Sequence, residues 1–96
     1  MNTQKEIQKL CKRERFTVTD FIERSGSSKS YYIKCESKSK FKTTVVLDGY
    51  GVDDITIYVS SATINNYAEI VDMENAINRA NSVADGIAEL LGFDMF

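Results

Sequence analysis

Residues 72–91 read DMENAINRANSVADGIAELL, and this stretch carries the clearest periodic pattern in the chain. Its apolar residues recur at intervals of three and four, the spacing that places them along one side of an α-helix. They are Met73, Ala76, Ile77, Ala80, Val83, Ala84, Ile87, Ala88 and Leu91. Asp72 suits the N-cap of such a helix, and Gly92 suits its left-handed C-terminal residue. The pattern predicts a helix over residues 72–91 whose apolar stripe covers the rest of the fold.

A first helix is predicted from Thr3, because Thr3 and Glu6 fit a capping box ahead of a short apolar stripe at Ile7, Leu10 and Cys11. It should end between residues 13 and 15. β-branched and aromatic residues predict strands at 16–23, with a bulge near Asp20, and at 31–36, 41–47 and 55–60. The second and third strands should pair as an antiparallel hairpin.

In the fourth strand, Ile55, Ile57 and Val59 are expected to face the core. Residues 61–71 are interpreted as a connection, with an edge strand at 68–71 or one helical turn at 63–67 as alternatives. Together the elements predict a single α+β domain over residues 1–96. It has two layers, an antiparallel sheet of three to five strands, and the order α-β-β-β-β-α. One face of the sheet is expected to be exposed to solvent.

Composition is that of a soluble globular protein, with 43% hydrophobic and 27% charged residues. No apolar run approaches the roughly 20 residues that span a membrane, and the N-terminus lacks the apolar core of a secretory signal. Two cysteines without framework spacing are typical of a reducing compartment. We therefore expect a cytoplasmic protein in which Cys11 and Cys35 are free thiols that fill small core positions.

Charge is distributed unevenly along the chain. Residues 1–42 contain 11 of the 12 Lys and Arg against 5 Asp and Glu, whereas residues 43–96 contain Arg79 alone against 9 acids. Folding interleaves distant segments, but this asymmetry favours surface patches of a single sign.

The order of the elements resembles the double-stranded RNA-binding domain, which also ends in an alanine-rich amphipathic helix. In that family a pair of lysines opens the last helix and contacts phosphates. Here the matching turn is Asp72-Met73-Glu74-Asn75, which repels phosphate, so RNA binding is not expected from this resemblance.

A second resemblance lies in Lys5-Glu6-Ile7-Gln8-Lys9-Leu10-Cys11-Lys12, which is similar to the opening of small phage-encoded inhibitors of CRISPR nucleases. It covers eight of the 96 residues, and no functional residue of that family can be placed on this chain. The resemblance implies a small protein that binds and inhibits a nuclease.

Catalytic groups are scarce. The chain contains no histidine, so the commonest general base and metal ligand are both missing. Asp48, Asp53 and Asp54 surround a glycine turn that could hold Ca²⁺ or Mg²⁺, but turn chemistry explains these residues better. We therefore predict no enzyme activity, no cofactor and no metal.

Two candidate binding surfaces remain. On the last helix, Glu74, Asp85 and Glu89 lie along one flank of the apolar stripe, and with Asp48, Asp53 and Asp54 they form the predicted partner-binding set. Lys34, Lys38, Lys40 and Lys42, with Tyr32, form the alternative nucleic-acid-binding set, because alternating residues of a strand share one face. Either charged group is also compatible with a solvated surface.

The tail ends in Phe93, Met95 and Phe96, which pack on the chain's own sheet or form a homodimer or partner contact. The favoured hypothesis is a non-enzymatic protein-binding module, a phage-type inhibitor whose acidic surface binds a nucleic-acid-handling protein. The alternative is a small nucleic-acid binder that uses the basic first half.

Overall fold

The computed structural model describes residues 2–26, 29–37, 41–60 and 64–93. Its two helices are α1 (Thr3–Arg13) and α2 (Tyr67–Leu91), and its four strands are β1 (Phe16–Arg24), β2 (Ser30–Ser37), β3 (Thr43–Gly49) and β4 (Ile55–Val59). A short 3-10 helix (Val52–Asp54) precedes β4. The α-β-β-β-β-α order and the α+β class are those predicted from the sequence.

The N-terminus of α1 is capped one residue earlier than predicted. The side chain of Asn2, and not that of Thr3, accepts a hydrogen bond from the backbone amide of Lys5, at 3.1 Å. Asn is as good an N-cap as Thr, and Thr3 becomes the first helical residue. At the other end Arg15 adopts a left-handed conformation, with φ 64°, which turns the chain from α1 into β1.

The strands form one antiparallel sheet in the order β1-β2-β3-β4. The hairpin predicted between the second and third strands is confirmed as β2 and β3. The predicted bulge is also confirmed, because the register between β1 and β2 shifts between Val18 and Asp20.

Within the described residues, only one face of the sheet is covered. Ile33 and Cys35 of β2 and Val45 and Leu47 of β3 are fully buried, while the residues between them are half-buried. The prediction for β4 was partly wrong: Ile55 and Ile57 pack against the core, but Val59 at the end of this edge strand is 37% exposed.

The start of α2 corrects the largest sequence-based error. The helix begins at Tyr67, so Asp72 is an internal residue and not the N-cap, and residues 67–71 are helical and not a connection. The Asn66 side chain caps the amide of Glu69 at 3.1 Å, and the Glu69 carboxylate accepts from the amide of Asn65 at 2.9 Å. The first contact satisfies one of the free amides of the first turn, and the second holds the chain just before the cap, so that the helix begins there.

The C-terminal two-thirds of α2 form the core with α1 and the sheet. Ala76, Ala80, Val83, Ile87 and Ala88 are buried, as their spacing predicted. Met73, Ile77 and Leu91, which were assigned to the same stripe, are only half-buried because they lie at its borders. Gly92 ends the helix in the predicted left-handed conformation, with φ 73°.

Candidate binding surfaces

The open face of the sheet combines residues from both predicted binding sets. Tyr32 lies opposite Asp48 on β3, and Lys34 lies between Asp20 on β1 and Val46 on β3. Together with Asp53 and Asp54 they line a shallow depression of about 710 Å³ that extends to Tyr58 on β4. The structure thus brings acidic and basic candidates together that the sequence had assigned to competing surfaces.

Cations on this face are engaged by carboxylates of the chain itself. The ammonium nitrogens of Lys34 and Lys42 lie 3.4 and 3.9 Å from the two carboxylate oxygens of Glu36, and Arg24 pairs with Asp48 at 2.9 Å. A phosphate would have to compete with these carboxylates for each cation. The other two members of the basic set, Lys38 and Lys40, lie outside the described residues.

The acidic turn after β3 has a structural explanation. The Asp54 carboxylate accepts hydrogen bonds from the backbone amides of Tyr50 and Gly51, at 3.0 and 3.2 Å. Asp48 is paired with Arg24, whereas Asp53 is exposed. Across the described residues no group of three or more His, Cys, Asp or Glu is placed to hold a metal ion.

The N-terminal third of α2 contributes almost nothing to the core. From Tyr67 to Asn75 no apolar side chain is buried, and Ala76 is the first that is. The 25 residues of α2 measure about 37 Å, against about 26 Å for the eight residues of β2. The helix is therefore longer than the sheet that it covers, and its first turns bury no apolar side chain of the described residues.

This part of α2 carries exposed apolar side chains. Six of the eight exposed large apolar residues of the described chain lie between Tyr58 and Val71. In the helix these are Tyr67, 78% exposed, and Ile70 and Val71, which follow at positions i+3 and i+4 on one side. Tyr67 and Ala76 are nine residues apart, roughly two and a half turns, so this side points away from the core.

Acidic residues continue the same side of α2. Glu74 lies at position i+7 from Tyr67, Asp85 is three turns further on, and both are exposed. Neither has an ion-pair partner among the residues that the structure describes. We define the outer face of α2 as Tyr67, Ile70, Val71, Glu74 and Asp85. The acidic residues were predicted, but the three apolar ones were missed because residues 61–71 were interpreted as a connection.

Glu89, the third acid predicted on this helix, has a different environment. It lines a groove of about 260 Å³ between α1 and α2, together with Glu6, Lys9 and Arg13. The six acids that were predicted to act together are thus distributed over the outer face of α2, this groove and the end of the sheet.

The described chain also has cations without a carboxylate partner, and all of them except Arg79 of α2 lie on α1 and the turn after it. Lys5, Lys9, Lys12, Arg13 and Arg15 are exposed, and none forms an ion pair within the described residues. In the helix, Ile7, Leu10 and Cys11 are buried on the opposite side. The result is a basic ridge, which we define by these five residues.

The chain's tail is described only as far as Phe93. This residue is half-buried and packs against the core, as the internal-packing alternative predicted for it. Met95 and Phe96, and with them most of the predicted dimer contact, lie outside the described residues. In the part of the chain that the structure describes, neither helix is long and apolar enough to cross a membrane.

Comparison with known proteins adds no relative. No protein-family model matches the chain, and neither a curated protein nor a solved structure is significantly similar to it.

Proposed function

We propose that the protein is a non-enzymatic binding module that inserts the outer face of α2 into an apolar groove on another protein. One observation carries the proposal: the first turns of a capped helix extend past the core with Tyr67, Ile70 and Val71 exposed on one side. Apolar residues at i, i+3 and i+4 are the usual anchors of a helix bound in a groove. Tyrosine is also enriched among residues that dominate binding energies.

The acidic residues indicate the chemistry of the partner. Glu74 and Asp85 follow the apolar anchors and have no partner within the described chain, so both are available to basic side chains at the edge of such a groove. Asp48 and Asp54 are already occupied by Arg24 and by backbone amides. The proposed contact surface is therefore narrower than the predicted acidic set and lies on α2.

A groove bordered by basic side chains is a feature that nucleic-acid-handling proteins can supply, because basic surfaces are common on them. The finer hypothesis, a phage-type inhibitor of a CRISPR nuclease, rests on the resemblance of residues 5–12. It predicts that the purified protein reduces DNA cleavage by such a nuclease in a dose-dependent manner. It also predicts that substitutions on the outer face of α2 abolish this reduction.

The proposal can be tested with two matched double variants. Tyr67→Ala with Glu74→Lys alters the outer face of α2. Tyr50→Ala with Asp53→Lys likewise removes a tyrosine ring and reverses one acidic charge, but at the end of the sheet, where both residues are also exposed. Affinity capture from a lysate of the source organism, followed by quantitative mass spectrometry, should recover a partner with the wild type and the control variant. We expect recovery with the α2 variant to fall at least about tenfold, the effect of roughly 1.4 kcal/mol.

Both variants should melt close to the wild type, because surface substitutions rarely change stability by more than about 0.5 kcal/mol. Loss of the partner with the sheet variant alone would move the contact surface to the acidic turn. If both variants recover the partner as well as the wild type does, neither surface has a role in binding it.

Nucleic-acid binding remains the second candidate, and the basic ridge of α1 now favours it more than the strand lysines do. An electrophoretic shift with single- and double-stranded DNA and RNA should appear at low salt and weaken as salt rises. Lys5→Glu with Lys9→Glu should abolish the shift, whereas Lys34→Glu with Lys42→Glu should leave most of it. If the wild type produces no shift at low salt, this candidate is excluded.

A further inference from the structure

Two cysteines that are 24 residues apart in the sequence meet in the core. Cys11 lies on α1 and Cys35 on β2, and their sulfur atoms are 3.3 Å apart. Both side chains are fully buried and belong to the same apolar cluster. A disulfide bond is about 2.05 Å long, so the sulfurs would have to approach by only about 1.2 Å.

We propose that Cys11 and Cys35 are a modification site, a dithiol that closes into an intramolecular disulfide between α1 and β2 on reaction with a low-molecular-weight disulfide. The proposal is independent of the binding function, because neither cysteine belongs to the outer face of α2. It assigns a chemical role to two residues that, from the sequence alone, only fill space.

The reaction is a two-step exchange. The Cys11 thiolate attacks one sulfur of the small disulfide, forms a mixed disulfide and releases one small thiolate. The Cys35 thiolate then attacks the Cys11 sulfur, breaks the mixed disulfide and releases the second small thiolate. The protein loses two electrons and two protons, and the small disulfide is reduced to two thiols.

The environment of the pair assigns the attacking role to Cys11. The neighbouring Cys35 thiol lowers the pKa of Cys11 because its hydrogen bond stabilises the thiolate, although burial opposes this effect. The pKa of Cys35 is raised, first by the same hydrogen bond and then by burial. Cys11 therefore ionises first, and Cys35 resolves the mixed disulfide.

Burial determines how the reagent reaches the pair. Both sulfurs are closed to solvent, so the exchange requires α1 to move away from the sheet. α1 is an 11-residue helix that lies outside the hydrogen-bonded sheet and is joined to β1 by the short turn at Glu14 and Arg15. Such a helix can move away without breaking the hydrogen bonds of the sheet, and we expect this opening to control the rate of oxidation.

The test uses the reduced full-length protein and oxidised glutathione at mildly alkaline pH. Intact mass should fall by two hydrogens, and peptide mapping should recover a Cys11–Cys35 cross-link. Because the bond closes a loop of about 25 residues, the melting temperature should rise by roughly 10 °C or more. Dithiothreitol should reverse both changes.

Cys35→Ser is the informative variant, because it removes the resolving thiol and should accumulate a stable glutathione adduct on Cys11. A wild type that keeps one or two glutathione adducts, or forms only disulfides between molecules, would overturn the proposal. Two thiols that stay free even a few degrees below the melting temperature, where α1 opens, would overturn it as well.

Discussion

Asp53 and Asp54 are neighbours in the sequence but have different roles in the structure. Asp54 holds the turn between β3 and β4 by accepting from two backbone amides, whereas Asp53 is exposed. Gly49 belongs to the same arrangement: its φ of 144° suits glycine, and a Cβ at this position would overlap the Asp54 carboxylate. A carboxylate can therefore be structural even where charge patterning predicts a binding role.

At this scale we predict that Asp54→Ala lowers the free energy of unfolding by about 1–2 kcal/mol, because two amides lose an anionic acceptor. Asp53→Ala, the adjacent control, should change it by less than about 0.5 kcal/mol. Chemical denaturation of the two variants measures the difference. Equal effects would show that the capping contacts contribute nothing in solution.

At the scale of elements, the packing of α1 on α2 depends on a glycine in α2, which leaves room for a side chain of α1. Gly86 lies within α2 at the point where the Leu10 side chain of α1 contacts this helix. A Cβ at Gly86 would overlap the Leu10 methyl groups. Glycine inside a helix costs about 1 kcal/mol relative to alanine. The close approach of the two helices explains why glycine is nevertheless accommodated at this position.

This packing predicts coupling between the two sites. Gly86→Ala should be neutral or destabilising despite its gain in helix propensity, because Leu10 must move. Leu10→Ala alone should cost about 2–5 kcal/mol. In the double variant the alanine at position 86 should recover its propensity gain, so we expect a coupling energy of about 0.5–3 kcal/mol in a double-mutant cycle. Additive effects would mean that the helices are further apart than the structure shows.

At the scale of the whole molecule, α2 divides into a part that stabilises the fold and a part that extends beyond it. Ile87 is fully buried among residues of α1 and the sheet, while Ile70 is 37% exposed in the N-terminal third. Ile77 lies between these extremes and is half-buried. The contribution of each isoleucine to stability should follow this order.

Accordingly, Ile87→Ala should cost about 2–5 kcal/mol, a large share of the stability expected of so small a fold. Ile70→Ala should cost less than about 1 kcal/mol, and Ile77→Ala an intermediate amount. Thermal or chemical unfolding of the three variants tests the order. A cost at Ile70 as large as that at Ile87 would show that the N-terminal third of α2 is packed, and it would also remove the basis of the proposed contact surface.

The sequence by itself determined the elements and their buried faces, because helices and strands impose periods of 3.6 and 2 on any chain that buries one side. The order of the elements, the bulge at Asp20, the hairpin and Gly92 were all predictable from such local signals. The first turns of α2 were missed although their caps, Asn66 and Glu69, are local. Tyr67, Ile70 and Val71 do not continue the core stripe, so the periodic pattern predicts a helix that begins too late.

Only the tertiary structure decided which charged and reactive groups are available. Strand register and helix packing place Lys42 beside Glu36, Asp48 beside Arg24 and Cys11 beside Cys35. In the last two pairs the partners are 24 residues apart in the sequence, and no local pattern encodes their distance. A charge that the folded chain leaves unpaired can bind a partner without first giving up an internal contact, and whether it is paired depends on contacts between distant segments. Glu74 and Asp85 are distinguished from Asp48 and Asp54 for this reason, although all four look alike in the sequence.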